Sequence, residues 1–375
     1  MNPSLQRAVA SASSTRLTLS LANPRAVFRS YPASRTAFAS LNLSHTRSKQ
    51  LLQGNTHLSL SRLVAATFST ATPPRRQKEK EKGKGKANEG AMASAPASTS
   101  LIESAKRAAC RQAVADHFNP NFKYVGIGSG STVAYVVEAI AELGPSVTSK
   151  MKFVPTGSGS TSLIRNAGLS VLQVPDLLLE VGFHPESTDH QPIDIYFDGA
   201  DEVDAELNCI KGGGACHFQE KLVSRLSKQF ICVADSRKKA DRLLTNWAYV
   251  PVEVSPMGAE YVRHELLRLG SSDPKIRTSG PTFIRTITDN HNHIIDAPFP
   301  TLLLNSEADE LDPKKGLWTP DALLARIKSI FGVLEVGIFS GLNGPQVANL
   351  GTDVEGVKPV KAYFGRPDGQ VETLG

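Results

Sequence analysis

Ile193-Asp-Ile-Tyr-Phe-Asp-Gly-Ala-Asp-Glu-Val-Asp204, followed by Lys211-Gly-Gly-Gly-Ala215 and then Glu220-Lys221, decides how the chain is read. Its apolar half, Ile193 to Phe197, has the character of a buried strand, so Asp198 and Asp201 fall just past the strand's C-terminal end, where open α/β sheets bind their ligands. Three successive glycines, Gly212, Gly213 and Gly214, allow positive φ or close approach of backbone to a ligand. Phe218 to Leu226 reads as the helix that follows. Lys211 and Glu220 then flank the glycine turn. Two carboxylates, a lysine and a glutamate in one short segment are equipment for acid–base chemistry, and no metal or cofactor motif stands beside them.

Outward from this segment, helical spacing from Leu101 to Phe118 gives way to a short strand, Tyr124 to Ile127, a glycine-rich turn, and a helical run from Val133 to Leu143. Further apolar runs at Phe153-Val-Pro155, Val171-Leu-Gln-Val174 and Phe230 to Ala234 alternate with helical segments. That alternation predicts an α/β fold with a doubly wound, mostly parallel, Rossmann-like sheet. After Trp247 the pattern changes. Pro251 to Val254 reads as a strand, Ala259 to Leu269 as an amphipathic helix, Thr282 to Thr288 and His293 to Ala297 as a hairpin, Leu323 to Ile330 as a helix and Val333 to Val336 as a strand. This is the split order of a smaller, ferredoxin-like α+β domain. Leu304 to Trp318, with Glu307, Asp309, Glu310 and Asp312, reads as a solvated insertion.

Gly126-Ile-Gly-Ser-Gly-Ser-Thr132 follows a strand and opens a helix, so its backbone N–H groups can cradle an anion. It is not a dinucleotide fingerprint, because Ser131 stands where the third glycine would fall, and no Gly-Lys-Ser/Thr closes it as a P-loop. On these residues alone, a simple tight turn is the alternative. Thr156-Gly-Ser-Gly-Ser-Thr161 is a second loop of the same character.

The chain has 375 residues, 40% of them hydrophobic, enough for a sizeable core. Residues 1–86 hold 15 Lys and Arg against 2 Asp and Glu, whereas the remaining 289 residues hold 27 against 34. The extension is therefore strongly basic and the body acidic. No basic, aromatic-interleaved stripe in the body suggests nucleic acid, and no apolar run has the roughly 18 residues a membrane span needs. The first 78 residues lack Asp and Glu and are rich in Ser, Thr, Ala and Arg, as in a mitochondrial presequence. A disordered tail, with Met92 starting a shorter cytoplasmic form, is the other reading. Lys78 to Lys86 is a charged linker with too little apolar surface to fold alone. Four cysteines without a C-x-x-C pair are expected to be reduced thiols.

In order and spacing, Gly126 to Thr132, Asp198 to Asp204, Lys211 to Lys221, Val233-Ala-Asp-Ser-Arg-Lys238, Pro251 to Val254, Thr288-Asp-Asn290 and Gly332 to Phe339 resemble the type A ribose-5-phosphate isomerase family. The resemblance runs from about Ser104 to about Gly365. It implies a sugar-phosphate substrate, aldose–ketose isomerisation through an enediol, no cofactor, no metal, and a homodimer or dimer of dimers. It also implies that the chain returns to the first domain after the second. The expected division is an extension at 1–100, the Rossmann-like catalytic domain at 101–250, the ferredoxin-like domain at 251–336, and the return with a C-terminal tail at 337–375.

By the same resemblance, Glu220 is the base and Lys211 the donor to the enediolate oxygen. Asp198 and Asp201 hold sugar hydroxyls and orient Lys211. Lys106, the loop Gly128, Ser129, Gly130, Ser131 and Thr132, the glycines 212–214 and Lys238 bind substrate. Cys216-His-Phe-Gln219 and His291 depart from the family's usual residues. Two rival functions are a non-catalytic sugar-phosphate sensor, which would need neither Lys211 nor Glu220, and another sugar-phosphate enzyme such as a deaminase.

Overall fold

The structure, a computed structural model, describes residues 95–184, 190–279, 284–350 and 356–375. The targeting, linker and tail readings of residues 1–91 lie outside the described residues. Helix α1 (Ala95–His117) leads to strand β1 (Tyr124–Ile127) and helix α2 (Val133–Ala141). Strand β2 (Lys152–Pro155) precedes α3 (Ser158–Asn166), and β3 (Ile195–Asp198) carries its one charge at its last position. Helix α4 (His217–Arg225) and β4 (Phe230–Asp235) follow. All residues of β1, β3 and β4 are buried. Near-continuous apolar strands of this kind mark a sheet covered on both faces, and the described core divides accordingly. Val125, Ile127, Ile195 and Phe197 pack on one face, Tyr124, Tyr196, Cys232 and Phe364 on the other.

The chain then builds β5 (Val250–Val254), α5 (Ala259–Arg268), β6 (Lys275–Ile276), β7 (His293–Ala297), α6 (Pro320–Lys328) and β8 (Val333–Val336). These strands form a separate antiparallel sheet in the order β8-β5-β7-β6. Val252, Val254, Val262, Leu266, Ile295, Leu323 and Ile327 make its core with α5 and α6. Strands β9 (Lys361–Gly365) and β10 (Val371–Leu374) return to the first sheet, whose order is β10-β9-β4-β3-β1-β2. Its pairings are parallel except β9 with β10. From β1 the chain goes to β2 on one side and later to β3 on the other. The crevice at the C-terminal ends of β1 and β3 is therefore the switch point where a ligand belongs.

Buried polar bonds join the two sheets. Lys211 N–H donates to Gly337 O at 2.9 Å and Gly337 N–H to Pro251 O at 2.7 Å. Lys221 on α4 extends a buried ammonium to Glu335 at 2.9 Å and to the carbonyl of Ile338 at 2.8 Å.

Three local expectations need correction. Val171 makes only a single bridge to Phe153, and a helix begins at Val174 because Pro175 fixes a helical φ and withdraws a ladder donor. Ile284–Arg285 pairs with Thr278–Ser279, and His293–Ala297 takes Lys275–Ile276 as its neighbour, so among the described residues the expected hairpin is reduced to one bridge, Ile287 to His293, while residues 282 and 283 of that expectation lie outside the described residues. His291 accepts a left-handed φ of 62° in the intervening turn, the conformation for which a glycine is the usual choice. The 304–318 insertion forms two 3₁₀ turns, but Trp318 at its end is buried in the second core.

Candidate active site

Asp198 ends β3 wholly buried, and each of its carboxylate oxygens accepts two hydrogen bonds. Oδ1 accepts the N–H groups of Ser129 at 3.1 Å and Gly199 at 2.7 Å. Oδ2 accepts the Tyr196 hydroxyl and, at 2.7 Å, Lys211 Nζ. Gly128 is required for this arrangement, since a Cβ there would lie 1.9 Å from the Asp198 carboxyl. The glycine-rich turn after β1 and the acidic end of β3 thus interlock.

Lys211, 3% exposed, reaches Glu220 Oε2 at 3.3 Å as well as Asp198. Burial works against its ammonium, but the two carboxylates outweigh that and hold its pKa above the ordinary lysine range. Glu220, in the first turn of α4 and 4% exposed, accepts the Ser129 hydroxyl through Oε1. Burial pushes its carboxyl up to about 7, against the pull of Lys211 and with the push of Asp198. Asp201 accepts Gly213 N–H at 2.7 Å. Burial raises its pKa and that N–H opposes the rise.

These groups open on a cavity of about 290 Å³. Asp198, Asp201, Lys211, Gly212, Gly214 and Glu220 line one set of walls, and Lys106, Ser129, Gly130, Ser131, Thr132 and Lys238 another. Lys106 Nζ donates to Ser131 Oγ at 3.1 Å, which brings a cation from α1 onto the loop that opens α2. A small, polar, cation-rich recess beside a buried carboxylate–ammonium pair suits a phosphorylated polyol. A model for the family described as ribose 5-phosphate isomerase A (phosphoriboisomerase A) matches residues 152–352. A ribose-5-phosphate isomerase of Mycosarcoma maydis is 43% identical over 276 residues, 73% of this chain and 82% of that relative.

The chain belongs to the ribose 5-phosphate isomerase A family.

A second family relative, from Schizosaccharomyces pombe, is 42% identical over 274 residues, 72% of this chain and 83% of its own length. The solved ribose 5-phosphate isomerase from Plasmodium falciparum superposes with a TM-score of 0.57 at 27% identity, over 73% of this chain and 99% of that one.

Of the residues singled out in this isomerase-family chain, Gly128 and Gly213 do not line the cavity. Gly128 makes room for Asp198, and Gly213 orients Asp201, whose carboxylate oxygen a Cβ there would meet at 2.6 Å. Lys238 lies with its ammonium 5.1 Å from the Trp247 ring centre while facing the cavity. The second hydroxyl loop is not part of the recess. Ser158 at the start of α3 gives its N–H to Asp289 at 2.7 Å and its hydroxyl to the same carboxylate at 3.2 Å. Glu202 and Asp204 are structural. Glu202 collects the backbone N–H groups of Leu244 through Trp247, and Asp204 closes a turn through Asn208 at 2.8 Å. His217 is fully buried with neither ring nitrogen hydrogen-bonded, and burial drops its pKa to about 3, so it packs as a neutral ring.

Sequence reading missed Tyr196, Glu103, Asp235 and Arg237. Tyr196 is two residues before Asp198 on one strand, a same-face spacing that could have flagged it. Glu103 stands one helical turn before Lys106 and holds its ammonium at 2.9 Å. Asp235 and Arg237 line the cavity as an ion pair at 2.7 Å. Among the described residues, no group of three or more His, Cys, Asp or Glu is arranged to hold a metal ion.

Proposed function

We infer that the chain interconverts ribose 5-phosphate and ribulose 5-phosphate, with Glu220 as the base that carries one proton between C2 and C1. The observation that carries this reading is the buried triad Asp198–Lys211–Glu220 opening on the cavity. A carboxylate with its pKa near neutrality is matched to removing a carbon-bound proton and returning it to the neighbouring carbon. As the proton leaves C2, negative charge gathers on the sugar oxygens. Lys211, kept charged by its two carboxylates, donates to the enediolate oxygen. Asp198 holds Lys211, and Asp201 engages the sugar hydroxyls and assists ring opening. Lys106, Lys238, Ser131, Thr132 and the backbone of Gly130 receive the phosphate, whose charge the start of α2 also favours, while the N–H groups of Gly128 and Ser129 are given to Phe197 O and Asp198.

The sensor reading is weaker, because a site that only binds has no use for a buried glutamate poised against a lysine. We further propose that residues 251–336 are a ferredoxin-like domain, because strand order β8-β5-β7-β6 is the 4-1-3-2 order of a split βαβ pair. The working form is taken to be a homodimer or dimer of dimers acting in the cytoplasm. Among the described residues no helix is long and apolar enough to cross a membrane.

Protein starting at Met92 tests the activity. Turnover of ribose 5-phosphate, unchanged by EDTA and absent with glucosamine 6-phosphate, is the expected result. No turnover of ribose 5-phosphate, or preferential turnover of the amino sugar, would overturn the assignment.

A further inference from the structure

The peptide unit joining Gly212 and Gly213 is gripped at both ends. Its N–H donates to Asp201 Oδ2 at 2.7 Å, and its carbonyl accepts Arg277 Nη1 at 2.8 Å. The same Nη1 reaches Gly213 O at 3.2 Å. Arg277 belongs to the second sheet, directly after β6, and its side chain is only 12% exposed. The rest of its guanidinium is committed to Asp296 on β7, with Nε 2.9 Å from Oδ2. The glycine turn has little freedom to answer otherwise. Gly212 sits at φ 112°, and a Cβ there would run into His217 at 2.7 Å and Pro251 at 2.9 Å.

We propose that Arg277 is a positioning residue, acting through the Gly212–Gly213 peptide to fix the hydrogen bond that aims Asp201 into the cavity. A cation on a carbonyl polarises the peptide and strengthens its N–H as a donor. The planar fork is needed, because one edge is held by Asp296 while the remaining nitrogen meets the carbonyls, a division that an ammonium cannot reproduce. The second sheet thereby acts on the catalytic cavity without lining it. The kinetic part of this inference rests on the isomerase reading above, and the spectroscopic part does not.

The test is a double-mutant cycle with Asp201. Arg277→Gln is expected to lower kcat by about 10- to 100-fold with KM changed less than threefold, and Arg277→Lys to recover little of it. In an Asp201→Asn background the same change should matter less than threefold. A kcat within threefold of the parent, or a loss that multiplies with that of Asp201→Asn, overturns the proposal. Gly-Gly pairs occur in the chain only within 212–214, so protein carrying carbonyl-¹³C, ¹⁵N glycine gives two HNCO signals. The Gly213 amide proton should move upfield in Arg277→Gln. If the parent proves inactive on ribose 5-phosphate, this signal decides alone: an upfield shift supports the proposal and an unmoved one overturns it.

Discussion

Lys211 and Glu220 face each other across 3.3 Å with both side chains at most 5% exposed. The ammonium does not hold the carboxyl in the ordinary acidic range, because burial dominates and moves it to about 7. Near neutral pH a modest change of environment therefore alters the ionisation of this proposed base. If Glu220 is the base, Glu220→Gln should lower kcat by about a thousandfold and alter KM much less. Steady-state kinetics on ribose 5-phosphate check this, and turnover within tenfold of the parent would remove Glu220 from the role.

Acidity should act on rate and stability in opposite senses. Only the ionised carboxylate abstracts a proton, so kcat/KM should fall as pH drops through about 7. In the unfolded chain the same group ionises near 4.5, so folding takes up its proton between the two values. Its stabilising contribution is complete below pH 4.5 and is lost as pH rises through about 7. Glu220→Gln should therefore raise Tm relative to the parent at pH 8, with the gap closing by pH 5. Parallel melting curves, flat in their difference across that range, would contradict the assigned ionisation.

Phosphate contacts should appear in KM. Lys106→Ala and Ser131→Ala remove the two partners of a 3.1 Å contact at the loop that opens α2. Each should raise KM for ribose 5-phosphate about tenfold or more while kcat changes less, the signature of lost ground-state binding. Unchanged KM in both folded variants would place the phosphate elsewhere.

A methyl group at Gly128 would overlap the Asp198 carboxyl at 1.9 Å, and Asp198 is buried with both oxygens hydrogen-bonded, so moving aside would break those bonds. Gly128→Ala should cost about 1–3 kcal/mol or more in stability, read as a lower midpoint in urea, and should abolish most of the activity. A variant that melts and turns over like the parent would mean that the turn and the strand end are not interlocked.

Much of the candidate site was legible in the chain because the segment proposed to be catalytic is local. Asp198, Asp201, Lys211 and Glu220 follow one another through strand, turn and helix, and glycine, apolar run and charge each leave a mark there. The loop 126–132 was legible for the same reason. Contacts between distant segments were not. Nothing near Gly128 announces that its missing Cβ makes room for a residue 70 positions later, and nothing near Arg277 announces the carbonyls of Gly212 and Gly213. The second sheet's edge was misread because Lys275–Ile276 is too short to show periodicity, whereas Ile284–Arg285, exposed, pairs in a separate two-stranded ribbon rather than in that sheet.

Strand β9 lies between β4 and β10, and α1 rests on it so closely that a Cβ at Gly365 would meet Ala105 O at 1.8 Å. Tyr363 on that strand ties α1 down through His117 at 2.8 Å and Asp116 at 2.9 Å. Lys106 rides on this helix, so one of the earliest described residues waits for one of the latest segments before it has a floor to stand on. A chain cut before Lys361 is expected to keep the residues of the Asp198–Lys211–Glu220 cluster while losing the support under α1 that holds Lys106 at the cavity.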